Sequence, residues 1–147
     1  MNLTKSAKLT RVIDATAAGT TDVNSSAIDM QGYDSVTFIV GFGTITASAV
    51  TSIKVQQAET DGSPETFADL EGTAISVADD DDNQIVAVEV VQPRERFLRV
   101  VVDRGTQNAV IDFGIALQNK ANAEPVTHDS STVVGSELHV APAEGTA

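Results

Sequence analysis

The 147-residue chain carries a formal net charge of −12, no cysteine, no tryptophan, one tyrosine and five phenylalanines. That length fits one domain that can bury most of its extended-chain surface without covalent staples. The missing cysteines exclude a disulfide framework, thiolate chemistry and cysteine-based metal sites, and the acidic balance argues against a nucleic-acid partner, which needs clustered cations to displace counterions.

Residues 1–11 hold Lys5, Lys8 and Arg11 and no acid. They read either as a frayed terminus or as an N-terminal arm that docks on a neighbouring subunit. No apolar segment follows them, so neither a signal peptide nor a membrane span is expected. Thr10–Asp14 suits a short first strand. Ala18–Ser26 is polar and loop-like. Asp29–Asp34 forms a turn that feeds a strand in which Val36, Phe38, Val40 and Phe42 alternate with Thr37, Ile39, Gly41 and Gly43. A period of two with β-branched and aromatic residues is the pattern of a half-buried strand. Ile39 and the two glycines allow the second face to be covered as well.

Ala49–Ala58 is the next strand, and Glu59–Pro64 is a loop. Thr66–Leu70 and Thr73–Val77 are short strand candidates. Asp79–Asp82 is a run of four carboxylates that lacks the alternate-position spacing and glycine of a calcium loop, so it reads as a solvated acidic loop and no metal is expected. Gln84–Val91 is apolar except for Glu89, which predicts burial on both faces. Pro93 ends it.

Arg96–Asp103 and Ala109–Gln118 are two strong strand patterns around Gly105–Asn108, which reads as a hairpin. The favoured register puts Val102 opposite Ile111, Val100 opposite Phe113 and Leu98 opposite Ile115. Ile111, Phe113, Ile115 and Leu117 then form one apolar face. On the other face Arg99 lies diagonal to Asp112, either as a surface ion pair or as an interface device. One more strand is expected at Thr132–Val140, before an extended ending. No stretch shows a helical apolar period. The expectation is an all-β, antiparallel, jelly-roll-like sandwich with extended arms: an N-terminal arm at 1–11, a sandwich at 12–118, and a C-terminal extension at 119–147 with one further strand.

Nothing in the chain suggests catalysis. His128 and His139 have no metal-ligand spacing, and there is no phosphate loop or nucleophile elbow. No enzyme activity and no cofactor are expected. Four of the five arginines, Arg94, Arg96, Arg99 and Arg104, crowd the first half of the Pro93–Leu117 segment. Together with Lys5, Lys8, Arg11 and Asp112 they are the candidate interface residues of an otherwise acidic body.

The segments Arg11–Asp14, Ser26–Val40, Pro93–Val102, Arg104–Thr106 with Asn108–Asp112, and the ending Pro142–Ala147 together resemble head decoration, or cement, proteins of tailed bacteriophages. The resemblance spans roughly residues 8–147 and rests on strand-and-turn patterns. It implies a non-enzymatic virion structural protein on the outer capsid surface. The implied partners are the major capsid protein and further copies of the chain, most simply in a trimer, with no membrane or nucleic acid. Other readings are a tail or head–tail joining component, or a carbohydrate-binding β-sandwich using Tyr33.

Overall fold

The computed structural model describes residues 2–61 and 66–146. Part of the expected Glu59–Pro64 loop therefore lies outside the described residues. After a single helical turn, α1 (Leu3–Ser6), the chain is all β. The strands are β1 (Lys8–Ile13), β2 (Thr16–Gly19), β3 (Val23–Asn24), β4 (Ile28–Asp29), β5 (Tyr33–Ile45) and β6 (Thr51–Ala58). They continue with β7 (Ala68–Asp69), β8 (Ile75–Val77), β9 (Ile85–Val91), β10 (Phe97–Asp103) and β11 (Ala109–Ala121). Among the described residues no helix is long and apolar enough to cross a membrane.

Two antiparallel sheets pack face to face. The first runs β1-β11-β5-β9, with β2 also on β11. The second runs β3-β10-β6-β7, with β4 on β10 and β8 on β6. Read along the chain, the main strands mostly alternate between sheets. That is the jelly-roll path, and it confirms the sandwich read from the sequence.

The alternation overturns the expected hairpin. β10 and β11 both exist but lie in opposite sheets. Val102 pairs with Ile53 and Val100 with Val55 in β6, while Ile111 pairs with Phe42 in β5. Their apolar faces still meet, across the core instead of side by side. Leu98, Val100, Val102 and Ile111 are fully buried, together with Val36, Phe38, Val40, Phe42, Ile53 and Val55. Arg99 and Asp112 are consequently not diagonal neighbours.

A second departure lies within β11. Ile111 pairs with Phe42 but Phe113 pairs with Gly41, so two steps on β11 match one on β5. This bulge at Asp112 inverts the alternation. Gly114, Ala116 and Gln118 then face the core, and Phe113, Ile115 and Leu117 turn to the outside of the sheet, half-buried. The inner positions suit small groups: a Cβ at Gly114 would come within 2.8 Å of Ile13. Gln118 reaches across the sandwich, its Nε2 donating to the Asp29 carbonyl at 2.8 Å.

Two further expectations fail. β9 is an edge strand rather than one buried on both faces, with Ile85 64% and Val91 53% exposed. Residues 132–140 form no strand. The expected arm is also shorter than residues 1–11, since β1 begins at Lys8 and pairs with β11.

Candidate interaction surface

The basic residues picked out by sequence divide into those held within the protomer and those left outward. Arg104 belongs wholly to the first kind and is only 5% exposed. Its Nε donates to Thr21 O at 2.7 Å, and its Nη1 donates to Ala17 O at 2.8 Å and Ala109 O at 3.0 Å. It clamps the β2–β3 segment to the crossing from β10 to β11. Its assignment to an interface is therefore corrected, because the side chain is not accessible to a partner.

Arg96 forms a bidentate pair with Asp29, at 2.9 and 2.7 Å, and sits 5.1 Å from the Phe97 ring centroid. The guanidinium holds the Asp29 carboxyl below its ordinary value. Arg99 donates to Gln56 Oε1 at 2.8 Å and lies 4.3 Å from the Phe67 ring centroid. Beside it, Lys54 and Gln56 both donate to Asp69, which lowers that carboxyl. The outer face of the second sheet is thus a polar network satisfied within one chain. Arg11 pairs with Asp14 at 3.2 Å while lying exposed next to Asp112 and Phe113.

Among the described residues, Lys5, Lys8 and Arg94 form no ion pair within 4 Å. Lys8 is near enough to Asp29 for its charge to act on that carboxylate. Arg94 and Arg96 line a depression of about 500 Å³ with Tyr33, Asp34 and Glu95. The structure therefore gathers Lys8, Arg94 and Arg96 at one end of the sandwich, places Arg11 and Asp112 on the outside of the first sheet, and buries Arg104 towards the other end. Tyr33 is half-buried, packed against the core at the wall of that depression.

The outer face of the first sheet differs in kind. The register aligns Leu9 with Leu117, Arg11 with Ile115, Ile115 with Ile39, and Ile39 with Ala87. Phe113 lies beside them over Gly41. This is a largely apolar, half-buried layer on the solvent side, interrupted by Arg11, Thr37 and Glu89. Part of it borders a cavity of about 560 Å³ closed on one side by Thr132, Val133 and Val134. Sequence reasoning missed the layer because it assumed unbroken alternation in β11. The available signal was the second face of β5, where Ile39 stood in a position a solvated sheet gives to a polar residue.

The C-terminal segment covers the β1 edge of this sheet. Val126 N–H donates to Lys5 O at 2.8 Å. His128 Nδ1 accepts from Leu9 N–H at 3.2 Å, and its Nε2 lies 3.0 Å from Thr4 O. These partners assign the neutral tautomer with the proton on Nε2, since Thr4 O can only accept. A doubly protonated ring has no lone pair left for Leu9. His139 pairs with Glu137 at 2.8 Å on the exposed tail.

The acidic run is used for backbone capping. Asp82 accepts from Ile45 N–H, Asp79 from Ser48 N–H and Asp81 from Ala78 N–H. Among the described residues no group of three or more His, Cys, Asp or Glu is placed to hold a metal ion. Among the described residues the molecule presents a polar, self-satisfied face on the second sheet, a largely apolar outer face on the first, and the open edge of β9.

No protein-family model matches the chain, and no curated protein matches it. A solved structure of Bacillus endospore appendages, from a family of disulfide-linked pili, is similar to it at 16% identity with a TM-score of 0.46, covering 82% of this chain and 94% of that one. The present chain has no cysteine with which to form such links.

Proposed function

We propose that this chain is a non-enzymatic structural protein of a tailed-phage virion, which docks on the outer capsid surface and stabilises contacts between major capsid subunits. The observation that carries the reading is the apolar outer face of the first sheet. Leu9, Phe113, Ile115, Leu117 and Ile39 form a contiguous layer on the solvent side, and such layers mark sites that another surface covers. Arg11, Lys5 and Lys8 flank it with positive charge on a body of net charge −12, as suits recognition of a defined acidic patch. The sequence resemblance to decoration proteins supplies the identity of that partner. A protein that binds assembled shell better than free subunits stabilises the shell by mass action, and many copies add up.

The test is to mix the purified protein with expanded shells of its own virus and image them by cryo-electron microscopy. Stoichiometric density over the capsid subunits is expected. Ile115→Asp, a change on the outer face, is expected to abolish it. Shells that remain bare with the unaltered protein overturn the reading.

A further inference from the structure

β9 is the open edge of the first sheet, and its hydrogen-bonding directions follow from its two ends. Phe42 N–H donates to Gln84 O, and Gln92 N–H donates to Asp34 O. Both pairs share the register that joins Gly41 to Ile85 and Ser35 to Val91. In an antiparallel ladder bonded and non-bonded pairs alternate. Residues 84, 86, 88, 90 and 92 therefore direct their N–H and C=O groups at β5. Ile85, Ala87, Glu89 and Val91 direct theirs outward, with no strand beside them among the described residues.

The usual protections of an edge are missing here. β9 has no proline, no lysine and no bulge in its pairing, and one charge, on Glu89. Such an edge is a template for another strand. Its core side is also incomplete, because Val86, Val88 and Val90 are only half-buried. The opposite edge, β1, is by contrast met by its own chain, where His128 accepts from Leu9 N–H and Ser26 N–H donates to Val12 O.

The same chain holds a segment with the complementary need. In residues 132–140 the alternate positions Val134, Ser136, Leu138 and Val140 carry a strand pattern with no sheet to join. Val134 is 108%, Leu138 45% and Val140 90% exposed. The segment leaves the body on the β1 side, near Leu9 and Phe113, which is the far edge of the sheet from β9. Beyond Val134, residues 135–146 give an extended reach of roughly 40 Å, at about 3.3 Å per residue.

We infer that the C-terminal segment around 134–140 of one copy adds as a strand to the β9 edge of a second copy. Main-chain bonds to Ile85, Ala87, Glu89 and Val91 supply the pairing, and Val134, Leu138 and Val140 extend the core layer beside Val86, Val88 and Val90. The contact is head-to-tail, so it closes into a ring or continues as a chain. It requires no capsid, and so it stands or falls separately from the proposed function.

The full-length chain in solution tests it. Light scattering after gel filtration is expected to show an oligomer. Ala87→Pro deletes an outward N–H without touching the β5 ladder, so the fold survives while self-association weakens by about tenfold or more. Because there is no native cysteine, Val90→Cys and Leu138→Cys chains, whose side chains would share the core face, can be mixed under oxidising conditions. A disulfide between the two different chains is expected in preference to either self-pair. A monomer at every concentration overturns the inference. So does an oligomer indifferent to Ala87→Pro, or a Val90→Cys/Leu138→Cys double variant that closes its bridge within one chain.

Discussion

The ring of Phe113 rests over Gly41 so closely that a Cβ on the glycine would come within 2.5 Å of it. The aromatic covers backbone that a side chain would otherwise shield, and it owes its outward position to the bulge at Asp112. Gly41→Val is therefore expected to push Phe113 off the sheet and to cost about 1–3 kcal/mol through overcrowding. A lower unfolding midpoint and a lost 41–113 contact in NMR spectra would record it. Because the ring is part of the apolar outer face, shell binding should fall with it.

Arg104 should be among the most sensitive polar positions in the chain. Its guanidinium serves three buried or half-buried carbonyls from the β2–β3 segment and β11. Arg104→Ala strands those acceptors and is expected to cost about 2–5 kcal/mol, given the penalty for each unsatisfied group. Arg104→Lys keeps the charge but not the fork, and should recover only part of the loss. Urea unfolding of the two variants orders them.

Beside it, Gly105 turns the chain at φ +41, where its missing Cβ would come within 2.2 Å of the Val50 carbonyl oxygen. That neighbour is backbone and cannot swing aside. Gly105→Ala is expected to destabilise by about 1–3 kcal/mol or more, from strain and clash together. Thermal unfolding measures it. An unchanged midpoint would mean that the 105–108 turn can move away from Val50.

The Asp29–Arg96 pair gives a pH signature. Arg96 lowers the Asp29 carboxyl in the folded state, so the ionised form stabilises the fold above the unfolded-state value of about 3.9. That contribution is lost as pH falls through the lower folded value. Asp29→Asn should therefore be less stable than the parent at neutral pH, with the gap closing in acid. Both partners are partly exposed, so added salt should narrow the gap as well. Denaturation curves at pH 7 and pH 3, with and without salt, test both statements.

The strands were readable because local pattern decides them. Val36, Phe38, Val40 and Phe42 alternate cleanly, and all four are buried. Their partners were not readable, because adjacency along the chain suggested a hairpin where the chain crosses between sheets. The faces of β11 were hidden for a different reason. One inserted residue at Asp112 reverses every side chain after it, and Ile115 and Leu117 look the same whichever way they point. Of the basic residues, the sequence marks where they cluster. It cannot distinguish Arg104, which carbonyls enclose, from Arg94, which stays at the surface.

The pairing of β1 with β11, Lys8 against Gln118 and Leu9 against Leu117, also sets an order in time. β1 has no strand to pair with until β11, far later in the chain, has been made. β5 gains β9 sooner on one side, but its other side waits for that same late strand. The apolar side chains of the first sheet must therefore wait unpaired during synthesis. Folding dominated by such distant pairings is slow, and the acidic charge that keeps the unfinished chains apart serves the protein before it has a structure at all.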